Sequence, residues 1–219
     1  ILNKRSFWKK EFQLNESTLD PRPDSETLIE TILEHFSEKF QLIKILDLGS
    51  GSGCLGLSLL DEYPYSEVSF FDKSEKSLEI AKINAKNFGL LERSKYISLD
   101  WNLSDWDKKL MTIEKNIKFD IVISNPPYIP TMEIKTLKKE VKEHDPFIAL
   151  NGGIDGLEAY RCILSKLINI VKPNGKIFLE IGKGQENQVE SIAINHGLLV
   201  KKYVKDLSGV TRVIMLLVK

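Results

Sequence analysis

The feature that most constrains this chain is an apolar run over residues 43–48 that ends in Asp47-Leu48-Gly49-Ser50-Gly51-Ser52-Gly53 and resumes as an apolar helical pattern over 54–60. A short apolar run bounded by glycines reads as a buried strand, and helical periodicity just beyond it makes a strand–turn–helix unit. Glycines in such a turn permit positive φ and let the backbone approach a ligand with no Cβ in the way. The alternation then continues. Strands are expected over 68–71, 96–99, 119–124 and 176–180. Ser74 caps a helix whose apolar side is Leu78, Ala81, Ala85 and Phe88 and which Gly89 ends. Further helices are expected over 160–171, stopped by Pro173 and Gly175, and over 189–195; two β-rich segments, 198–204 and 211–218, look like an antiparallel pair.

Alternating β and α elements with right-handed crossovers imply an α/β fold: a doubly wound, mostly parallel sheet with helices on both faces. Ahead of it, Phe12 and Leu14 alternate with polar neighbours near Phe7 and Trp8, which suggests a short hairpin. Pro21 and Pro23 end that segment, and Asp24 is expected to N-cap a helix with apolar face Leu28, Ile29, Ile32, Leu33 and Phe36. The expected division is an N-terminal hairpin and linker over 1–23 and one domain over 24–219. At 219 residues the chain is long enough for a single sizeable core.

Ligands of such sheets bind outside the carboxyl ends of the strands, where the chain's chemical motifs fall. The glycine spacing is G-x-G-x-G rather than the G-x-G-x-x-G of dinucleotide folds, and Asp47 stands two residues before the first glycine. A carboxylate there repels a diphosphate but suits the ammonium group of a methionine moiety. Asp72, ending the second strand, can accept both hydroxyls of a ribose. Phe71 and Trp101 are placed to flank an adenine ring, with Asp100 beside its amino group. Farther on, an apolar strand delivers Asn125-Pro126-Pro127-Tyr128. Proline removes an amide donor and leaves carbonyls free. The Asn125 side-chain oxygen and the Pro126 carbonyl can together accept both hydrogens of a substrate –NH2, and Tyr128 offers a flat face to a planar amide or base. Two preplaced acceptors favour a nitrogen that gains positive charge as it attacks a methyl donor.

The chain resembles the HemK/PrmC family, the release-factor glutamine N5-methyltransferases. The matching stretches are Pro21-Arg22-Pro23-Asp24-Ser25-Glu26, Asp47 to Gly53, Asn125-Pro126-Pro127-Tyr128-Ile129, Asp145-Pro146, Gly152-Gly153 with Asp155-Gly156-Leu157, Glu180-Ile181-Gly182 and Asp206-Leu207-Ser208-Gly209 with Arg212. The resemblance implies a Rossmann-like methyltransferase whose seven-stranded sheet has an antiparallel last strand. It implies S-adenosyl-L-methionine as cofactor and S-adenosyl-L-homocysteine as product. Gly49 to Gly53, Asp72 and Trp101 would hold the cofactor, and Asn125 to Tyr128 would grip the glutamine of a Gly-Gly-Gln loop in a peptide-chain release factor. Asn-Pro-Pro-Tyr also occurs in enzymes that methylate the exocyclic amine of adenine or guanine, so that motif leaves a nucleic-acid substrate open as the alternative. Lysine plus arginine equals aspartate plus glutamate, which weighs against it.

Two departures from the family's pattern stand out. Asp145 occupies a position where the family usually has glutamate, and only some twenty residues stand where it carries an N-terminal helical domain. Ile1 in place of methionine leads to the expectation of a longer parent chain. Cys54 and Cys162 are expected to be buried core thiols, and the isolated histidines give no metal-ligand spacing. No run is apolar enough to span a membrane and no signal peptide is evident, so a cytoplasmic monomer is expected. Residues 131–146, rich in lysine and glutamate, read as either a substrate-contacting lid or a solvated helix face. Arg22 either braces the cofactor pocket or pairs with a surface carboxylate.

Overall fold

In the computed structural model, which describes residues 3–219 apart from the side chains of Glu140 and Glu143, a two-stranded hairpin precedes a seven-stranded sheet. Residues 1 and 2 of the N-terminal segment, and those two side chains of the charged run, lie outside the described residues. The hairpin pairs β1 (Lys4–Phe7) with β2 (Lys10–Gln13). A 3-10 turn, Pro23–Ser25, leads into α1 (Glu26–His35). Alternation follows as β3 (Lys44–Leu48), α2 (Cys54–Glu62), β4 (Glu67–Asp72), α3 (Glu75–Asn87), β5 (Ser94–Ser98), α4 (Trp106–Ile113) and β6 (Phe119–Ser124). Beyond β6 come the short helices α5 (Thr131–Ile134), α6 (Lys139–His144) and α7 (Phe147–Leu150), then α8 (Glu158–Leu164) and α9 (Leu167–Ile170). The chain ends with β7 (Val171–Glu180), α10 (Glu186–Asn195), β8 (Leu198–Lys205) and β9 (Thr211–Val218).

The sheet order is β5-β4-β3-β6-β7-β9-β8. β9 alone runs against the rest, wedged between β7 and β8, because the short 206–210 connection makes β8 and β9 antiparallel neighbours. The expected doubly wound class with an antiparallel last strand is the one observed. Central strands are covered on both faces: Ile45, Leu46, Leu48, Ile121, Val122 and Ile123 are all fully buried. Leu46 and Leu48 pack with Tyr160, Ile163 and Leu167 on one side; Ile45 packs with Leu28, Leu57 and the hairpin's Phe7 and Phe12 on the other. Among the described residues no helix is long and apolar enough to cross a membrane.

Several local expectations are corrected. Asp24 does not cap α1: Pro23 starts the turn one residue earlier, the N-cap position falls to Ser25 with no side-chain cap bond, and the Asp24 carboxylate accepts from Arg212 at 3.0 Å. The helix expected over 160–171 is two helices. The Ser165 hydroxyl donates to the Cys162 carbonyl at 2.9 Å, competing with the helical ladder, and Val171 already pairs with Phe119. β7 therefore begins before Pro173, whose residue is accommodated where the register slips between the Phe119 and Ile121 pairings. Helix α4 is only two turns long, and its apolar positions Trp106, Leu110, Met111 and Ile113 stand beside Asp107, Lys108 and Lys109, so it does not stand out in the sequence. Both cysteines are half-buried rather than core.

Candidate active site

A cavity of about 520 Å³ opens at the carboxyl ends of β3, β4, β5 and β6, within the range of small-molecule sites. Its floor is the glycine turn. The Gly49 and Ser50 amides donate to the Phe71 carbonyl at 2.8 and 3.1 Å, which holds the turn against the end of β4. Buried Asn84 on α3 braces it from behind, donating to the Ser52 carbonyl at 2.9 Å and exchanging hydrogen bonds with the Gln13 backbone. The hairpin thus fixes the turn from outside the sheet. Asn84 carried no motif signal; a polar residue on the apolar side of α3 was its only trace.

Asp72 lines the cavity. Its two carboxylate oxygens accept the Gly51 and Ser74 amides, each at 2.9 Å, and lone pairs remain for a ligand's hydroxyls. Burial raises its pKa, and those amides oppose the shift. Trp101 also lines the cavity and lies over the turn so closely that a Cβ on Gly49 would meet its ring at 2.9 Å. The expectation that Phe71 and Trp101 flank a ligand ring is corrected. Phe71 is fully buried and lies parallel to Trp101, centroids 6.3 Å apart, so it backs the tryptophan and does not reach the cavity.

Asp47 and Asp100 are likewise absent from the cavity wall. The Asp47 carboxylate is buried beneath the turn, where Oδ2 accepts the Gly56 amide at 3.0 Å; burial pushes its pKa up to about 7. Its Oδ1, with the hydroxyls of Ser50 and Ser52, is buried without a protein partner. Asp100 caps its own loop, accepting the Asn102 amide at 2.9 Å, and Asn102 rather than Asp100 faces the cavity.

On the far wall stand Asn125 and Pro127, at the end of β6. Asn125 Nδ2 donates to Ser25 Oγ at 3.1 Å, and among the described residues no donor engages its Oδ1. Pro126 is buried outside the lining. Tyr128 also lies outside it: its hydroxyl sits 3.4 Å from Glu180 Oε1, and burial, with the Glu180 charge second, raises its pKa. Sequence reasoning assigned no role to Ser25 or Glu180. Ser25 Oγ donates to Glu180 Oε2 at 2.5 Å, and Glu180 is fully buried, with its pKa pushed up to about 7 by burial. Glu180 ends β7, the strand beside β6, so the rule that sites gather at strand carboxyl ends was the signal available.

The remaining wall comes from the N-terminal segment and the insert after β6. Arg22 lines the cavity and also pairs with the buried carboxylate of Asp145, which accepts the Asp20 amide at 3.1 Å. Arg22 thus stands in the cavity wall, and the carboxylate of Asp145 that it pairs with is buried rather than at the surface. The insert's α7 adds Phe147, Ile148 and Ala149 to the cavity mouth.

The wall suits a nucleoside joined to an amino acid: a flat indole, a carboxylate for hydroxyls, and a glycine- and serine-rich turn that leaves room for a ligand. Among the described residues no group of three His, Cys, Asp or Glu could hold a metal ion.

Comparison with known proteins shows the family. The model of the methyltransferase small domain matches residues 22–144. A release factor glutamine methyltransferase of Bradyrhizobium diazoefficiens is 39% identical over 98% of this chain and 70% of its own length. One from Clostridium acetobutylicum is 38% identical over 98% and 73%. Among solved structures, the release factor-specific protein-(glutamine-N5) methyltransferase of Alicyclobacillus acidocaldarius superposes with a TM-score of 0.55 at 24% identity, covering 90% of this chain and 92% of that one; this likeness bears on the fold.

Proposed function

Because the chain belongs to the release factor glutamine methyltransferase family and is an S-adenosylmethionine-dependent methyltransferase, we propose that it methylates the N5 amide nitrogen of the glutamine in the Gly-Gly-Gln loop of a peptide-chain release factor. The observation that carries this reading is the posture of Asn125, whose Nδ2 is committed to Ser25 while Oδ1 is left unengaged at the cavity wall. A substrate –NH2 offers two hydrogens and needs acceptors, and Oδ1 is one.

When bound, S-adenosylmethionine supplies an electrophilic methyl group and leaves as S-adenosylhomocysteine. The chain's own residues do the rest. Asp72 accepts ribose hydroxyls, Trp101 covers the adenine, and the turn from Gly49 to Ser52 lines the space for the polar end of the cofactor. Asp47, turned under the turn, acts by holding the turn to α2. An amide nitrogen is a weak nucleophile because its lone pair is delocalised into the carbonyl. As it attacks, positive charge grows on it, and acceptors set in advance strengthen with that charge; Asn125 Oδ1 and the Pro126 carbonyl are assigned this role. No strong base is needed, since the methylated nitrogen sheds its proton readily. Phe147 and Ile148, both exposed at the mouth, shield the reacting amide from water as the substrate loop enters.

The test is mass spectrometry of a release factor incubated with this protein and isotopically labelled cofactor, against the Asn125→Ala variant. A methyl gain on the Gly-Gly-Gln glutamine is expected from the wild type only, with cofactor affinity of the variant within about threefold by calorimetry, since only the acceptor is removed. A release factor left unmethylated, or an undiminished rate in the variant, would overturn the assignment.

A further inference from the structure

Asn125 has two chemically opposite ends of nearly equal size. With Oδ1 toward the substrate it accepts; turned over, it would set its own –NH2 against the substrate's. Something must select between them, and the strand that carries Asn125 does not. Ser25 Oγ is the side-chain atom bonded to its amide nitrogen, at 3.1 Å, and a hydroxyl can either donate or accept.

The hydroxyl hydrogen of Ser25 is directed elsewhere. Glu180 Oε2 lies 2.5 Å from Ser25 Oγ, and an ionised carboxylate only accepts. Ser25 must then donate to Glu180, its lone pairs face Asn125, and Asn125 must present Nδ2 to them. We infer that Glu180 is a positioning residue: through the Ser25 hydroxyl, its carboxylate fixes the Asn125 amide with the oxygen toward the substrate. This rests on the amide-methylation reading above and adds to it the group that orients the acceptor.

The neighbourhood suits such a relay. Glu180 is fully buried, so water does not scramble the chain of bonds. Its other oxygen is 3.4 Å from the Tyr128 hydroxyl, which donates to a carboxylate. The charged and titratable groups facing it come from several elements: Arg212 on β9, Asp24 in the turn before α1, Tyr128 after β6, Tyr160 on α8, whose hydroxyl donates to the Glu180 backbone carbonyl at 2.8 Å, and Cys54 on α2. Arg212 is the only cation among them, and it is shared with Asp24 and Asp206, each at 3.0 Å. Burial with a shared counter-ion leaves Glu180 poised close to neutrality.

A protonated Glu180 reverses the polarity. The acid then donates to Ser25, the Ser25 hydrogen is free to turn to Asn125, and the amide is free to rotate so that its oxygen accepts that hydrogen. Methyl transfer should therefore be full above the Glu180 pKa and fall as the pH drops through about 7. A glutamine at 180 can donate to Ser25 as the protonated acid does, so Glu180→Gln should mimic the low-pH form at every pH. Ser25→Ala removes the intermediary altogether.

The experiment is the pH dependence of kcat and KM for release factor methylation by wild type, Glu180→Gln and Ser25→Ala, with cofactor binding followed by calorimetry. In the wild type kcat should fall on the acid side with a midpoint near 7. Both variants should lose about tenfold or more in kcat at pH 8, the scale of a misplaced transition-state partner, with KM for the release factor changed less than threefold, and Glu180→Gln should show no acid limb. A wild-type kcat flat between pH 5.5 and 8.5 overturns the relay without need of any variant. So does a Glu180→Gln enzyme that binds cofactor and keeps either its rate or its acid limb. If the wild type methylates no release factor at all, the functional reading fails instead, and the two failures are told apart by that one control.

Discussion

Gly49→Ala should separate the role of the turn's backbone from that of the tryptophan above it. Gly49 sits at φ +73°, and a Cβ there would lie 2.9 Å from Trp101 Cη2 and 3.0 Å from Cζ3. A left-handed backbone costs a non-glycine residue about 1–2 kcal/mol. The contact adds more, because Trp101 cannot simply swing away. It lies parallel to Phe71 with centroids 6.3 Å apart, and Phe71 is held edge-on by Trp106 at 5.6 Å. Overpacking of this kind typically costs about 1–3 kcal/mol, for a total of roughly 2–5 kcal/mol. Gly51→Ala supplies the control. Gly51 has φ +54°, yet a Cβ there meets nothing within 4 Å, so only the backbone cost of about 1–2 kcal/mol applies. The two substitutions should differ by about 1–3 kcal/mol in chemical denaturation. Because the displaced ring is the cavity wall, Gly49→Ala should also weaken S-adenosylhomocysteine binding by a further factor of about ten in calorimetry, one decade per about 1.4 kcal/mol. Equal stability and equal affinity in the two variants would refute the claim that Trp101 is seated by the bare backbone at 49.

Two other outcomes concern the rest of the site. Asp145→Ala removes the acceptor that joins Arg22 and the Asp20 amide to the insert after β6; with Arg22 a third exposed, a loss of about 1–2 kcal/mol is expected. Hydrogen exchange should quicken over both 15–22 and 131–150, and acceleration on one side alone would contradict the tie. Glu180 also bears on stability: its folded pKa is about 7 against an ordinary value of 4.5, so the folded protein holds a proton that the unfolded chain releases between those values. Stability should therefore decline as pH rises from about 4.5 to about 7, and Glu180→Gln should remove that part of the decline in denaturation curves taken across the window. A Glu180→Gln curve with the wild-type slope would show that the buried carboxyl is not its source.

The elements that were legible in the sequence are those whose neighbours in space are also neighbours in chain. β3, the glycine turn and α2 follow one another, and an apolar run broken by glycines can hardly fold otherwise. β6 was readable because burial on both faces makes its centre, Ile121, Val122 and Ile123, a continuous apolar run, and Asn125 follows the strand directly. The Ser74 cap was legible because it is a local bond, with Ser74 Oγ accepting the Ser77 amide at 3.2 Å. Helix α4 and the early start of β7 were not, because each depends on a partner far away: the core that receives Trp106 and Leu110, and the Phe119 edge that captures Val171.

The same distinction runs through the active site. From the amino-acid order alone come the fold class, the position of the cavity at the strand ends, and the cofactor and acceptor motifs, because strand and helix periodicity record which faces are buried and the topology then gathers the turns at one edge. Which side chains face the cavity was decided only by packing. Phe71 is turned into the core behind Trp101, Asp47 lies beneath its turn, and Asp100 closes its own loop. Ser25 and Glu180, 155 residues apart, are joined at 2.5 Å behind Asn125. Periodicity carries no information about such pairs, since a hydrogen bond between distant residues exists only after the intervening chain has folded around it.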